Sequence, residues 1–283
     1  MFLAKIKNIY GEILELTHNP NYNIISISGL SPVSAAINTS VLATADGTMF
    51  NRSRKGERNI VITISINTPV EKNRLQLYRY APTKFPIQFS FKNDSREVFI
   101  DGYVESHEVN LFENGQLAQI SIICPQPFFK SVKECIFELS AITSLFKFPF
   151  WINQGQPIAF SSVSMEAQIT VWNEGDTETG MIIELHAERT VINPIIYNRD
   201  TGEKFEVIYS MVKGDVIKIN TNAGEKSVLL IRNGDEYNII NYVNLNNDWF
   251  VIRNGANVFT YECADGYEFL KILFLVTNKF EGV

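Results

Sequence analysis

The chain has 283 residues but only three cysteines, Cys124, Cys135 and Cys263, and no C-x-x-C pair. An odd, unpatterned set is not a disulfide framework; it reads as small buried hydrophobes in a reducing compartment. Histidine is equally scarce. His18, His107 and His186 are far apart, with no H-x-H or H-E-x-x-H spacing, so no zinc site is indicated. Long apolar runs are missing too. No stretch approaches the roughly 18 apolar residues of a membrane span, and the start, Met1 to Asn8, lacks the apolar run of a signal peptide. The expectation is a soluble protein made in the cytoplasm, with no membrane partner. Nor is there a basic excess: 25 Lys and Arg stand against 31 Asp and Glu, for a formal net charge of −6. Phosphate binding wants the opposite field, which argues against specific nucleic-acid recognition. A G-x-S-x-G nucleophile elbow, a phosphate loop and a dinucleotide fingerprint are all absent.

What is present points to β structure. The composition, 45% hydrophobic and 20% charged, is ordinary for a globular chain that can bury a full core. From about Gln168 to Thr277 short apolar runs are closed by Gly-containing turns around Gly175, Gly202, Gly214, Gly224, Gly234 and Gly255. Gly and Asn tolerate positive φ, so they gather where strands reverse. Many short strands at such spacing predict a β-sandwich or barrel.

The first half adds clean alternation. Ile60, Ile62, Ile64 and Ile66 share one face, as do Phe85, Ile87, Phe89 and Phe91, and later Ala118, Ile120, Ile122 and Cys124. Gly102 reads as a possible bulge site, and Glu113-Asn114-Gly115-Gln116 as a hairpin turn. Thr68-Pro69-Val70-Glu71 reads as a helix start with a Thr-x-x-Glu capping box, giving one short helix at about 69–80 that stops before Pro82. Residues 34–59, polar and rich in Gly, Ser, Thr, Asn and Arg, read as a long loop or loose hairpin. The resulting division is an N-terminal β domain over 1–135, a connection over 136–165 that includes the apolar Phe146–Trp151 segment, and a β-sandwich over 166–283. The last residues are expected to pack back on the first domain.

Candidate chemistry is thin. Triads assemble in space, so scattered histidines alone exclude nothing. But His186 shares a polar strand face with Glu184 and Glu188, and His107 reads as strand rim. Asn198-Arg199-Asp200-Thr201-Gly202-Glu203 resembles a calcium loop superficially, without its full spacing or distal Glu, and a plain turn explains it better. A pair of carboxylates for glycoside hydrolysis stays open because nothing singles one out. Trp151, Trp172 and Trp249 are either sugar-stacking platforms or packing; Trp249-Phe250-Val251-Ile252 looks like a strand start, where packing is the better reading. Arg52, Arg54, Lys55 and Arg58 are either a solvated basic loop or a contact for an acidic protein surface. No catalytic, cofactor-binding or metal-binding residue is assigned.

The ordered segments resemble a known family. They are Arg58–Ile64, Arg74–Tyr78 in the helix, Phe85–Phe89, Val98–Glu105 and Ile120–Phe129, then Gly214–Thr221 and Trp249–Asn257. Together they are similar to the distal tail proteins of siphophages, over nearly the whole chain. The resemblance implies a mainly β fold: a β-barrel-like N-terminal domain with one helix that forms the wall of a hexameric ring, and a galectin-like β-sandwich outside it. It implies a non-catalytic structural component of the virion tail tip, with no cofactor. Its ring would join the tail-tube protein to the tail-associated lysin or fibre-hub protein and to receptor-binding proteins, with DNA passing through unrecognised. The alternative is a carbohydrate- or receptor-binding β-sandwich protein without catalysis.

Overall fold

The structure is a computed structural model that describes residues 2–44, 46–111, 115–144, 161–163 and 167–283. It resolves into two compact units: Met1–Val132 together with Lys279–Val283, and Lys133–Asn278. The chain therefore leaves the first unit after Val132 and re-enters it for its last five residues.

The first unit contains β1 (Leu3–Asn8), β2 (Ile13–Glu15), β3 (Tyr22–Ser28), β4 (Ala35–Val41), β5 (Thr48–Lys55), β6 (Arg58–Ile66), helix α1 (Val70–Tyr80), β7 (Pro86–Lys92), β8 (Glu97–Val109), β9 (Leu117–Cys124) and β10 (Phe129–Ser131). Its main sheet runs in the order β2-β1-β7-β8-β9-β6-β3, antiparallel throughout. Alternate residues of every strand in it, including Ile6, Tyr22, Ile62, Phe89, Ile100 and Ile120, meet in one core. Leu77 of α1 enters the same core, and the Tyr22 hydroxyl donates to the Asn73 carbonyl at 2.7 Å, tying helix to sheet.

Two local expectations change. Thr68 does not cap α1: Pro69 holds the N-cap position with extended backbone, and no side chain caps the helix. Glu71 instead pairs with Arg74 one turn along. Gly102 is not a bulge. It pairs regularly with Ile87, and a Cβ there would lie 2.7 Å from Ile122 Cγ2 and 2.8 Å from Cys124 Sγ, so glycine is required by close packing. The irregularity in that strand falls between Val104 and Ser106. Of the Asn-Gly hairpin turn, Glu113 and Asn114 lie outside the described residues; Gly115 has a φ of 86°.

The second unit contains β11 (Cys135–Ser140), β12 (Ile142–Ser144), β13 (Ser161–Val163), β14 (Gln168–Asn173), β15 (Ile182–Ala187), β16 (Val191–Ile192), β17 (Ile195–Asn198), β18 (Lys204–Glu206), β19 (Ser210–Met211), β20 (Val216–Asn220), β21 (Ser227–Arg232), β22 (Asp235–Asn238), β23 (Gly255–Glu262) and β24 (Leu270–Val276). The final strand, β25 (Lys279–Phe280), belongs to the first unit, where it pairs with β10. A six-stranded sheet, β11-β24-β15-β20-β21-β22, faces a four-stranded sheet, β14-β23-β17-β18, across a shared core. Phe259 of one sheet meets Phe274 of the other, ring centroids 5.0 Å apart. This is a β-sandwich. The chain is mainly β with one α-helix among the described residues.

Cys135–Ser140 stands inside the sandwich although the sequence assigns most of it to a connection over 136–165. It pairs along its whole length with β24 and buries Leu139. Its alternating Glu138 and Ser140 give it the look of a polar linker. Most of the remaining connection, including Phe146–Trp151, lies outside the described residues. Trp249–Ile252 is likewise not a strand start: β23 begins at Gly255, while Phe250 and Ile252 are buried in the core. The turn glycines at 202, 214, 224, 234 and 255 all have positive φ.

One ion pair, a buried carboxylate held by a half-exposed arginine, pins this sandwich. Asp215, 1% exposed, accepts from Arg232 Nε at 2.7 Å and Nη2 at 2.6 Å, and from the Val212 N–H at 2.9 Å. The Arg232 hydrogen bonds outweigh the opposing effect of burial and hold the carboxyl below its ordinary value. Since the folded state then binds this proton more weakly than the unfolded chain, the contribution is full above about pH 4 and fades as pH falls through the folded value. Asp215→Asn should lower the stability of the second unit by about 3 kcal/mol near neutrality. In thermal unfolding from pH 7 to pH 3, the gap to wild type should stay constant above about pH 4 and narrow below it.

Candidate assembly surface

The residues singled out by chemistry do not converge. His18 sits in a turn at a φ of 56°. His107 is held by the Ala81 carbonyl at the end of α1 and by the Tyr78 ring edge, and burial lowers its pKa. His186 contacts Glu184 at 3.2 Å, and Lys218 reaches the same carboxylate at 3.9 Å. In the 198–203 turn the oxygens are already engaged: Asn198 Oδ1 accepts the Asp200 N–H, the Asp200 carboxylate accepts the Val258 N–H, and Glu203 accepts the Thr201 hydroxyl. Among the described residues no group of three or more His, Cys, Asp or Glu is placed to hold a metal ion. Trp249 packs edge-on against Phe205 at 5.2 Å. Trp172 is exposed on β14, and Trp151 lies outside the described residues.

The four basic residues 52–58 separate into two kinds. Arg58 is 1% exposed, and its guanidinium donates to the backbone carbonyls of Pro127, Gly29, Ser31 and Glu281, with its charge over the Phe129 ring. Lys55 pairs with Glu281 of the C-terminal segment. Arg52 and Arg54, by contrast, are exposed on β5 and meet no carboxylate among the described residues.

β4 and β5 form a sheet of two strands that pairs with no other strand among the described residues. Fourteen of their fifteen residues are exposed. An arm that buries neither face is unusual, because strands are normally stabilised by covering one face. The register makes it amphipathic, since residues opposite each other share a face. Ala36 faces Arg54, Asn38 faces Arg52, and Ser40 faces Met49. Asn51, the extra residue at the register shift, bonds Asn38 at 3.2 Å and Ser40 at 2.6 Å on this polar face. The other face carries Ile37, Val41 and Phe50 with Thr39, Thr48 and Ser53, and no charge except Lys55 at its base. Val41 is 83% exposed and Ile37 66%.

The arm springs from the β3/β6 end of the main sheet. The other end, β2 with the turn from β1, exposes a second apolar set: Ile9, Tyr10 and Ile13. The sheet thus ends in two unlike apolar surfaces.

Residues 174–272, which fall wholly within the second unit, match the model of a siphovirus-type tail component, C-terminal domain. The matched residues run from the turn after β14 through the start of β24 and so span most of the sandwich. Among solved structures, the whole chain is similar to the SPP1 Dit (gp 19.1) protein, described as a paradigm of the hub adsorption apparatus in phages infecting Gram-positive bacteria. The TM-score is 0.71 at 12% identity, over 99% of both chains. It is also similar to a chain of the phage P2 baseplate in its activated conformation with Ca, with a TM-score of 0.59 and 11% identity over 100% of both chains. The corresponding structure with Sr gives 0.54 and 10% over 98% of both. At such identities these likenesses speak to the fold. No curated protein matches the chain by sequence.

Proposed function

We propose that this protein is a structural subunit of a phage tail tip, where copies join head to tail through their first units into a closed hub ring, six-fold as in the family it resembles. The ring would stand between the tail tube and the baseplate or receptor-binding proteins, with the sandwich as a docking platform, and would need no catalytic step. The observation that carries the reading is the pair of unlike apolar ends on one sheet, the arm at one and the Ile9/Tyr10/Ile13 edge at the other. A self-complementary patch would give a dimer, whereas two different patches give a head-to-tail contact, which closes into a ring when the rotation allows. The likeness to hub and baseplate chains supports the same reading.

Native mass spectrometry of the purified chain over a range of concentrations tests it. One closed species of fixed stoichiometry is expected. A strict monomer at every concentration, or an isologous dimer, would overturn the proposal.

A further inference from the structure

If the apolar face of the arm is what meets protein, its polar face is left over, and that face has its own chemistry. We infer that Arg52, Arg54, Asn38 and Ser40, the last two held by the Asn51 amide, form a sequence-independent contact for the phosphate backbone of double-stranded nucleic acid. Three observations carry this. The two guanidiniums are exposed and meet no carboxylate among the described residues, on a chain whose formal net charge is −6. They stand two residues apart on one strand, and so point the same way about 7 Å apart. Beside them are amides and a hydroxyl, with no acidic side chain on that face. Arginine, asparagine and serine side chains are the ordinary donors to phosphate oxygens. A free two-stranded ribbon is also one of the few elements that a major groove, roughly 12 Å wide, admits. Because the arm is exposed on both faces, it can reach a duplex without bringing the acidic body against it, which would be repelled.

This contact is compatible with the absence of specific recognition expected from composition: two arginines per arm position a backbone and read little sequence. The experiment is fluorescence anisotropy of the full chain with a labelled random-sequence duplex, titrated with salt. Two neutralised phosphates per arm predict a slope of log affinity against log salt of about −1.8, or a loss of roughly twelvefold between 50 and 200 mM, and a steeper slope if several arms engage one duplex. The R52A/R54A double variant should abolish binding, and R52K/R54K should keep most of it, since lysine also serves phosphate as a point charge. Both variants should retain the wild-type melting temperature, because neither residue is packed. Poly-glutamate of matched charge serves as competitor. No duplex binding at 50 mM salt, binding untouched by R52A/R54A, or tighter binding of poly-glutamate than of the duplex would overturn the inference; the last outcome would make an acidic protein the partner. These outcomes are read separately from ring stoichiometry, so either idea can fail alone.

Discussion

Replacing Arg58 by alanine is expected to unfold the first unit, or to lower its stability by about 4 kcal/mol or more, while leaving the second unit intact. The size follows from what the side chain holds. Its guanidinium is buried and bonds four backbone carbonyls from separate parts of the chain: Gly29 and Ser31 after β3, Pro127 after β9, and Glu281 near the C-terminus. Burial lowers the pKa of the group, opposed by the nearby Cys124 and Glu281. Without it these carbonyls lose a charged donor. Each buried acceptor left unsatisfied costs about 1–3 kcal/mol, against a total stability of about 5–15 kcal/mol for a typical domain. Arg58→Lys should recover only part of the loss, because an ammonium cannot span the fork of acceptors. Denaturant unfolding should show two transitions in the wild type, with only that of the first unit moving. An alanine variant within 1 kcal/mol of wild type would show that water replaces the side chain at little cost. The C-terminal segment shares this anchor: Glu281 accepts from Arg58 and Lys55, Gly282 accepts from Arg96, and Phe280 lies under the Arg96 guanidinium.

Arg58 also shows where the sequence is legible and where it is not. Grouped by proximity it belongs with Arg52, Arg54 and Lys55, and suggests a surface patch. Grouped by phase it does not: positions 58, 60, 62, 64 and 66 all face inward on β6. The two-residue period that reveals the isoleucine core therefore also points Arg58 into it, and the charge obscures the signal. Strands with one buried face, such as Ile87–Phe91 and Ala118–Cys124, are readable because burial writes itself into alternation; Phe85, expected on the same face, precedes β7 and is exposed. The arm is not readable in this way. With neither face buried, its Thr, Asn, Ser and Arg residues carry no core-directed rhythm, so it reads only as a long loop or loose hairpin; the antiparallel pairing of β4 with β5 is the hairpin. Nor does any local signal mark the return of Lys279–Phe280 to β10, a pairing of two residues whose partners are about 150 positions apart. The Gly-rich turns of the sandwich are legible since positive φ selects glycine there. The packing of the last residues back on the first unit is also expected, although the strand that they join is not.

The arm should prove dispensable for folding and necessary for assembly. Ile37, Val41 and Phe50 are exposed, so a triple serine variant (I37S/V41S/F50S) should melt within a degree or two of wild type, as surface substitutions usually do. If these side chains are covered in the ring, losing them removes about 4 kcal/mol or more from each contact, roughly a thousandfold in affinity, and the assembly should collapse to monomer. A complementary variant, Y10S/I13S, damages the opposite end of the sheet and should do the same. The decisive measurement is the mixture. The arm variant keeps a sound β1/β2 edge, and the edge variant keeps a sound arm. One good contact remains between unlike partners and none beyond it, so the two monomers should combine into a 1:1 heterodimer and grow no further. An isologous interface predicts something else, because each variant would then carry both halves of its own contact. A mixture that stays monomeric in native mass spectrometry, or that rebuilds a ring, would separate the arm from that edge and refute the head-to-tail pairing. A capped heterodimer would identify both surfaces at once, without requiring any other protein.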